Sequence, residues 1–381
     1  MAGIPDLDRR GFALGAMATL IAAGGATRVR AAGGIPSTVS ALYDRAIVID
    51  ALASPSSWNV PFPPPGPLTQ AQLDNVRASG ITAVNLTVGK PGGLDATVKE
   101  IGFWLGQIAR HGDYLRLVTR HADIAAAKRE GKLGIIFGFQ GMGMIGTDLD
   151  LIDAFAAMSV KIMQLTYNDR NALAAGSSLP ESEGLTPFGR EAIARMNALG
   201  VLVDVGHANP ATAIQAAEAS AKPITISHTG SRAVFDSQRN LPDTAFRAVA
   251  EKGGVVGIYL MPFLGRDPVS ASRALFNRHL VHALNVCGED HVGIGSDQSI
   301  TPVDISPAYM EIVRKTAEAR QKAGIGAPGE ADSPVTVPQL NAVRRMEMIA
   351  ADLSKAGYPA RVVEKVIGGN FDQLFRAIWP A

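Results

Sequence analysis

Five polar side chains stand where short apolar runs end: Asp50 after 46–50, Gln140 after 134–139, His207 after 200–206, His228 after 223–227 and Asp297 after 291–295. Taken singly, each reads as a polar residue closing a strand. Taken together, two imidazoles, an amide and two carboxylates supply the borderline nitrogen and hard oxygen donors that a zinc-like ion uses around an open catalytic position. Other chemistries are weaker. The single cysteine, Cys287, excludes a disulfide framework, a cysteine zinc site and a CxxC redox pair. His282 and His291 could be offered to it as a base, but its apolar neighbours assign it to packing. Gly141-Met142-Gly143-Met144-Ile145-Gly146 matches a dinucleotide-binding turn, with Asp169 roughly where a ribose-binding acid would fall. In a chain with 40 glycines the pattern is weak, and Asp169 follows Thr166-Tyr167-Asn168 instead of ending a strand.

The runs that carry these residues belong to a longer series. Strands are expected near 46–50, 81–87, 134–139, 160–165, 200–206, 223–227, 254–258 and 291–295. Helical patterns separate them near 68–79, 93–111, 147–158, 187–199, 209–221, 242–252 and 269–286, several opening on a capping residue such as Thr69, Thr147 or Asp243. Near-continuous apolar strands alternating with helices imply a parallel sheet covered on both faces. Eight such units imply a closed (β/α)8 barrel of the TIM type, with its site at the strand C-termini. A proline-rich loop at 61–67 and a segment from 301 to 338, holding one helix near 306–322, would lie over the mouth. The remainder reads as C-terminal closing helices.

A composition of 47% hydrophobic and 19% charged residues is that of a globular chain, and 381 residues leave one to three domains open. Thirty-six basic against 35 acidic side chains give a formal charge of +1, too small a field to gather phosphates. The expected partner is therefore a small molecule and not nucleic acid. Residues 1–32 read as a twin-arginine-type signal: Arg9-Arg10 and Phe12, a mild Ala/Gly-rich stretch to Thr27, then Arg28, Arg30 and small residues. A membrane anchor would need about 20 strongly apolar residues, which this glycine-broken stretch lacks. The expectation is an exported, periplasmic protein whose residues 33–381 form one domain. That route carries folded cargo, which favours a bound cofactor.

Several segments resemble the membrane dipeptidase family, also called renal dipeptidase or peptidase family M19. They are Leu165-Thr166-Tyr167-Asn168, Leu202-Val203-Asp204-Val205-Gly206-His207, Ile226-Ser227-His228-Thr229-Gly230-Ser231-Arg232-Ala233, Arg239-Asn240-Leu241-Pro242-Asp243, Val292-Gly293-Ile294-Gly295-Ser296-Asp297 and Ile367-Gly368-Gly369-Asn370-Phe371. The matches keep family order over roughly 45 to 378. The resemblance implies a (β/α)8 metal-dependent hydrolase that cleaves dipeptides, with two zinc ions sharing a bridging carboxylate. Family members often form dimers, so a homodimer stays open. By the same resemblance His207 and His228 match the histidines of one metal, Asp297 the aspartate that handles the proton of the attacking water, and Arg239 the arginine that binds the substrate's terminal carboxylate.

The departures matter as much. Tyr167 stands where the family has a histidine that stabilises the tetrahedral oxyanion. Gln140 stands at the bridging glutamate, and a neutral amide cannot offset two dications about 3.5–4 Å apart. The first strand reads Asp50-Ala51-Leu52-Ala53-Ser54, so Leu52 and Ser54 replace both ligands of the other metal. The expectation is one zinc ion, or none, on His207 and His228, with Asp297 or the Gln140 oxygen as a third ligand. Three functions follow from that set: a mononuclear hydrolase of a dipeptide-like amide; a metal-free member that binds a small peptide or amino-acid conjugate; and a barrel isomerase or lyase moving protons with Tyr167, Asp50 and Asp297.

Overall fold

In the computed structural model, which describes residues 34–57, 66–89, 93–265, 272–322 and 334–379, eight parallel strands follow one another around a nearly closed barrel. They are β1 (Ile49–Asp50), β2 (Ala83–Gly89), β3 (Leu133–Phe139), β4 (Val160–Gln164), β5 (Leu202–Asp204), β6 (Thr225–Ser231), β7 (Val255–Ile258) and β8 (Val292–Ile294). Each pairs with its neighbour in chain order, and Ala51 N donates to Ile294 O at 2.9 Å across the seam between β8 and β1. Every residue of β2, β3 and β6 is buried, as a parallel sheet covered on both faces requires. The expected (β/α)8 architecture is therefore the observed one. The expectations for residues 1–32 and most of the 61–67 loop lie outside the described residues.

Strand limits have local causes. The ladder of β1 starts late because Val48 N donates to the Thr82 hydroxyl at 3.0 Å. β5 stops early because Gly206 N donates to the Asp204 carboxylate at 3.0 Å. β6 runs on to Ser231 because its end pairs with the short strand Asn240–Leu241. Thr69 caps the helix Gln70–Ser79 with a reciprocal capping box to Gln72. Thr186 and Asn209 cap helices that open on Pro187 and Pro210. Thr147 is not a cap, since its helix begins at Asp150, and Asp243 is the first residue inside its helix, after Pro242. Helices Ser37–Arg45 and Ala122–Glu130 and the short strand Leu115–Leu117, which pairs with β3, add to the expected elements. The two helices have nine residues each, too few for a 3.6-residue period to stand out. Gly143–Ile145 forms a single 3-10 turn and no helix begins on the glycines, so the dinucleotide motif has no phosphate-binding helix start.

Two apolar layers hold the barrel. Outward-facing residues such as Val84, Leu86, Ile135 and Phe137 pack under the surrounding helices. Inside, Ile49, Ala83, Ile136, Ile162, Leu202 and Val255 form a separate layer that is completed by Phe371, Leu374, Phe375 and Trp379 at the C-terminal helix Asn370–Ile378. That helix is pinned by Asn370, whose amide donates to Glu289 O at 2.9 Å and Val292 O at 2.7 Å. Gly293 in β8 makes room for it, because a Cβ there would meet the Phe371 ring.

Candidate active site

Above the apolar layer, the strand ends present polar residues toward the C-terminal mouth, where barrels of this kind place their chemistry. His207 follows β5, and His228 lies in β6 at a register irregularity between β6 and β7. Gly257 and Gly295 permit that irregularity, since a Cβ on either would strike Ser227 O. The two imidazoles lie edge to face with centroids 4.8 Å apart, and both are buried. Tyr167 stacks on His207 at 4.2 Å, and Arg320, from the helix Pro307–Lys322, donates to the Tyr167 hydroxyl at 3.4 Å.

Each imidazole is held at Nδ1. His207 Nδ1 lies 2.6 Å from Asn168 Oδ1, an oxygen that can only accept, so Nδ1 carries the proton. His228 Nδ1 lies 2.8 Å from Ser227 Oγ, which in turn donates to Asp204 Oδ2 at 2.6 Å. His228 Nε2 is buried and has no hydrogen-bond partner among the described residues. Burial pushes both imidazoles well below the ordinary histidine range. Arg239 adds to the effect on both, and His228 and Arg320 add to it on His207. Both rings are therefore neutral at neutral pH, the state in which histidine ligates.

Arg239 is itself buried. It donates to Gly206 O at 3.1 Å and has its guanidinium 5.9 Å from the Tyr259 ring centroid. Its chain position is fixed by Asn240, which takes the Tyr259 hydroxyl at 2.6 Å and donates to Phe235 O and Phe263 O. No acidic side chain among the described residues forms an ion pair with Arg239, so it is a buried cation suited to an incoming carboxylate. Asp297 follows β8 in a left-handed conformation with φ 56°, and its N–H donates to Leu52 O at 2.8 Å. Aspartate is one of the few residues that tolerates that region. Gln140 follows β3 with its carbonyl taken by Gln164 Nε2 at 2.7 Å.

The first loop is closed differently. Leu52 is buried, and the Ser54 hydroxyl lies 2.9 Å from that of Ser56. The pair Gln298–Ser299 runs parallel to Ala53–Ser54 as a two-stranded ribbon. The Asp50 side chain is fully buried. Its carboxylate takes Ser296 N at 2.7 Å and Ser296 Oγ at 2.5 Å, and Arg345 Nη2 approaches at 3.7 Å while Arg345 Nη1 donates to Ser299 O at 2.8 Å. Burial raises the Asp50 carboxyl, against the pull of Arg345 and Ser296. Asp50 thus ties the first strand to the turn after the eighth and to Arg345.

These positions decide which metal chemistry the residues fit. No three His, Cys, Asp or Glu side chains converge as a metal site among the described residues. Among its described residues, the first loop has Leu52 and Ser54 at the two positions where the family's second ion takes its ligands. The two neutral imidazoles are nitrogen donors of the kind a zinc-like ion takes, one fewer than the three protein ligands of a typical catalytic zinc site. Cys287 plays no part, since burial pushes its thiol up to about 12. Asp204, Ser227 and Gln164, inside strands, and Asn168, in the loop after β4, escape sequence reasoning as supports of the imidazoles and of Gln140, because their partners lie on other segments.

The description "membrane dipeptidase (peptidase family M19)" belongs to the family model that matches residues 69–317, and the chain belongs to that family of metal-dependent hydrolases. An uncharacterized dipeptidase of Schizosaccharomyces pombe is 28% identical over 273 residues, which is 68% of this chain and 64% of that protein. Dipeptidase tcpJ of Claviceps purpurea is 28% identical over 271 residues, 70% of this chain and 56% of its own. The chain thus spans less than two thirds of the length of either relative. Among solved structures, an amidohydrolase from Pseudomonas aeruginosa is similar with a TM-score of 0.75 and 27% identity, covering 90% of this chain and 99% of that one.

Proposed function

We propose that this chain hydrolyses a dipeptide or a related small amide bearing a free carboxylate, with one metal ion on His207 and His228 in place of the family's pair. The observation that carries the reading is the imidazole pair 4.8 Å apart, each ring engaged at Nδ1, beside a buried arginine with no acidic partner among the described residues. The names of the curated relatives, both dipeptidases, support the substrate class.

In this reading Arg239 binds the substrate carboxylate and sets the amide over the imidazoles. An ion on the two histidines would supply Lewis-acid polarisation of the amide carbonyl. Tyr167, steadied by His207 and Arg320, donates its hydroxyl proton as a hydrogen bond to the carbonyl oxygen as charge builds there. Asp297 accepts the proton of the attacking water. Gln140 adds at most a neutral oxygen. Export through the twin-arginine route belongs to the same proposal and rests on Arg9-Arg10 and the stretch that follows.

A second reading, a metal-free member that binds the same class of ligand, is favoured by the lack of a three-ligand His, Cys, Asp or Glu cluster among the described residues. Elemental analysis of protein purified from metal-replete medium, with a dipeptide panel assayed with and without added zinc, separates the two. One ion per chain that is lost in H207A, with turnover abolished in D297N, supports the hydrolase. Trace metal and no turnover, with ligand binding intact, removes it.

A further inference from the structure

We propose that Asp204, Ser227 and His228 form a directional hydrogen-bond relay, in which Asp204 and Ser227 are positioning residues that fix which ring nitrogen of His228 is left as a lone pair. The inference rests on His228 belonging to the proposed site, but its geometry is independent of any metal. Asp204 Oδ1 is already taken by Ser227 N at 2.9 Å and Gly206 N at 3.0 Å. Its Oδ2 is left for the Ser227 hydroxyl at 2.6 Å. A hydroxyl has one proton, so once Ser227 donates to Asp204 its oxygen must accept from the next partner. That partner is His228 Nδ1 at 2.8 Å. The proton therefore sits on Nδ1, and Nε2 is an acceptor.

Nε2 is also the ring's unpartnered atom, buried without a hydrogen bond among the described residues. A buried polar atom left unsatisfied needs an explanation, and an unprotonated imidazole nitrogen is satisfied by a cation or by a donor on a ligand. The relay has little freedom to rearrange. A Cβ on Gly206 would lie 2.9 Å from both His228 Nδ1 and Ser227 Oγ, so that only glycine leaves room for the pair. A Cβ on Gly257 or Gly295 would likewise strike the Ser227 carbonyl. His207 reaches the same tautomer by a different device, the Asn168 oxygen at 2.6 Å. Two rings, one after β5 and one in β6, thus present the same nitrogen, and for His228 that depends on the direction of a chain of protons that starts at Asp204.

D204N tests the direction with almost no change of shape. The amide introduced by D204N keeps an oxygen for the two backbone N–H groups but turns an NH2 toward Ser227 Oγ. The Ser227 proton, no longer taken by a carboxylate, is then available to His228 Nδ1, which moves the ring proton to Nε2. The experiment is 15N NMR of histidine-labelled full chain without metal, followed by zinc titration. Wild type is expected as the Nδ1–H tautomer, D204N as Nε2–H, S227A as a mixture and S227T as wild type. Zinc affinity should fall about 10- to 100-fold in D204N and S227A, the usual cost of losing an outer-shell partner, with S227T close to wild type. An unchanged His228 tautomer in D204N, or in S227A should D204N not fold, overturns the relay. If wild type binds no zinc while the tautomers shift as stated, the metal reading fails and the relay stands.

Discussion

Arg345 and Asp50 bury opposite charges behind the first loop, and replacing Arg345 with Met tests what that guanidinium does. Both side chains are almost fully inaccessible, and their closest approach is 3.7 Å. Met keeps much of the bulk and removes the charge. Asp50 then retains Ser296 and the Leu52 N–H at 3.3 Å as donors but has no cation. Breaking a buried pair by removing one partner costs about 3–5 kcal/mol. The lower end applies here, because Arg345 Nε and Nη2 have no hydrogen-bond partner among the described residues, so their own desolvation is relieved. With an unfolding entropy of roughly 0.7 kcal/mol per kelvin for a domain of this length, about 3 kcal/mol lowers the midpoint by roughly 4 °C.

The pH dependence gives the sharper test. The Asp50 carboxyl is raised above its ordinary value of 3.8 by burial, and removing Arg345 raises it further. Between the unfolded and folded values the native state holds a proton that the unfolded state lacks, so stability falls as pH rises through that window. The R345M loss should therefore be large at neutral pH and shrink toward pH of about 4, and R345M with D50N should recover much of it. Urea denaturation at several pH values reads all three. A loss that does not change with pH, or a double variant less stable than R345M, would refute charge compensation as the role of Arg345.

Other outcomes follow from the same structure. G293A should cost about 1–3 kcal/mol by overpacking against Phe371, and F371A about 3–5 kcal/mol by emptying the lower barrel, both read by chemical denaturation. R239M should weaken a carboxylate-bearing ligand about 10- to 150-fold, the worth of a hydrogen bond to a charged group, while a C-terminally amidated analogue changes little in a calorimetric titration. Asp204, pushed up to about 6 by burial, penalises the folded state as pH rises from about 4 to 7. The stability of wild type relative to D204N should therefore decline by about 3 kcal/mol over that interval.

Much of this architecture is legible in the residues. β2, β3 and β4 show nearly to their limits because each is an apolar run ended by glycine or an amide, and the helix at 187–199 is bounded by Pro187 and Gly200. Short helices and the start at Thr147 mislead, because local signals there compete with packing. The site is half legible. His207 and His228, named by type and position, do come together in the structure, and the departures at Leu52, Ser54 and Gln140 are read directly from the sequence. The partners that give those residues their chemical state are not legible, since Asn168, Ser227 and Asp204 come together only when separate strands are laid side by side. The counterion of Asp50 is hidden for the same reason: it is Arg345, far along the chain.

The innermost layer of the barrel joins Ile49, in the first strand, to Phe371 and Phe375, in the last helix. Contacts of that sequence separation form slowly, because a long loop must close before they return any stabilisation. Until residues 370–378 dock, the barrel has a wall of strands and no floor. A chain cut before Asn370 would therefore not be a shorter barrel with its mouth intact. It would expose Ile49, Ile136 and Ile162 to water from below, leaving a sticky intermediate whose damage lies at the end opposite the chemistry.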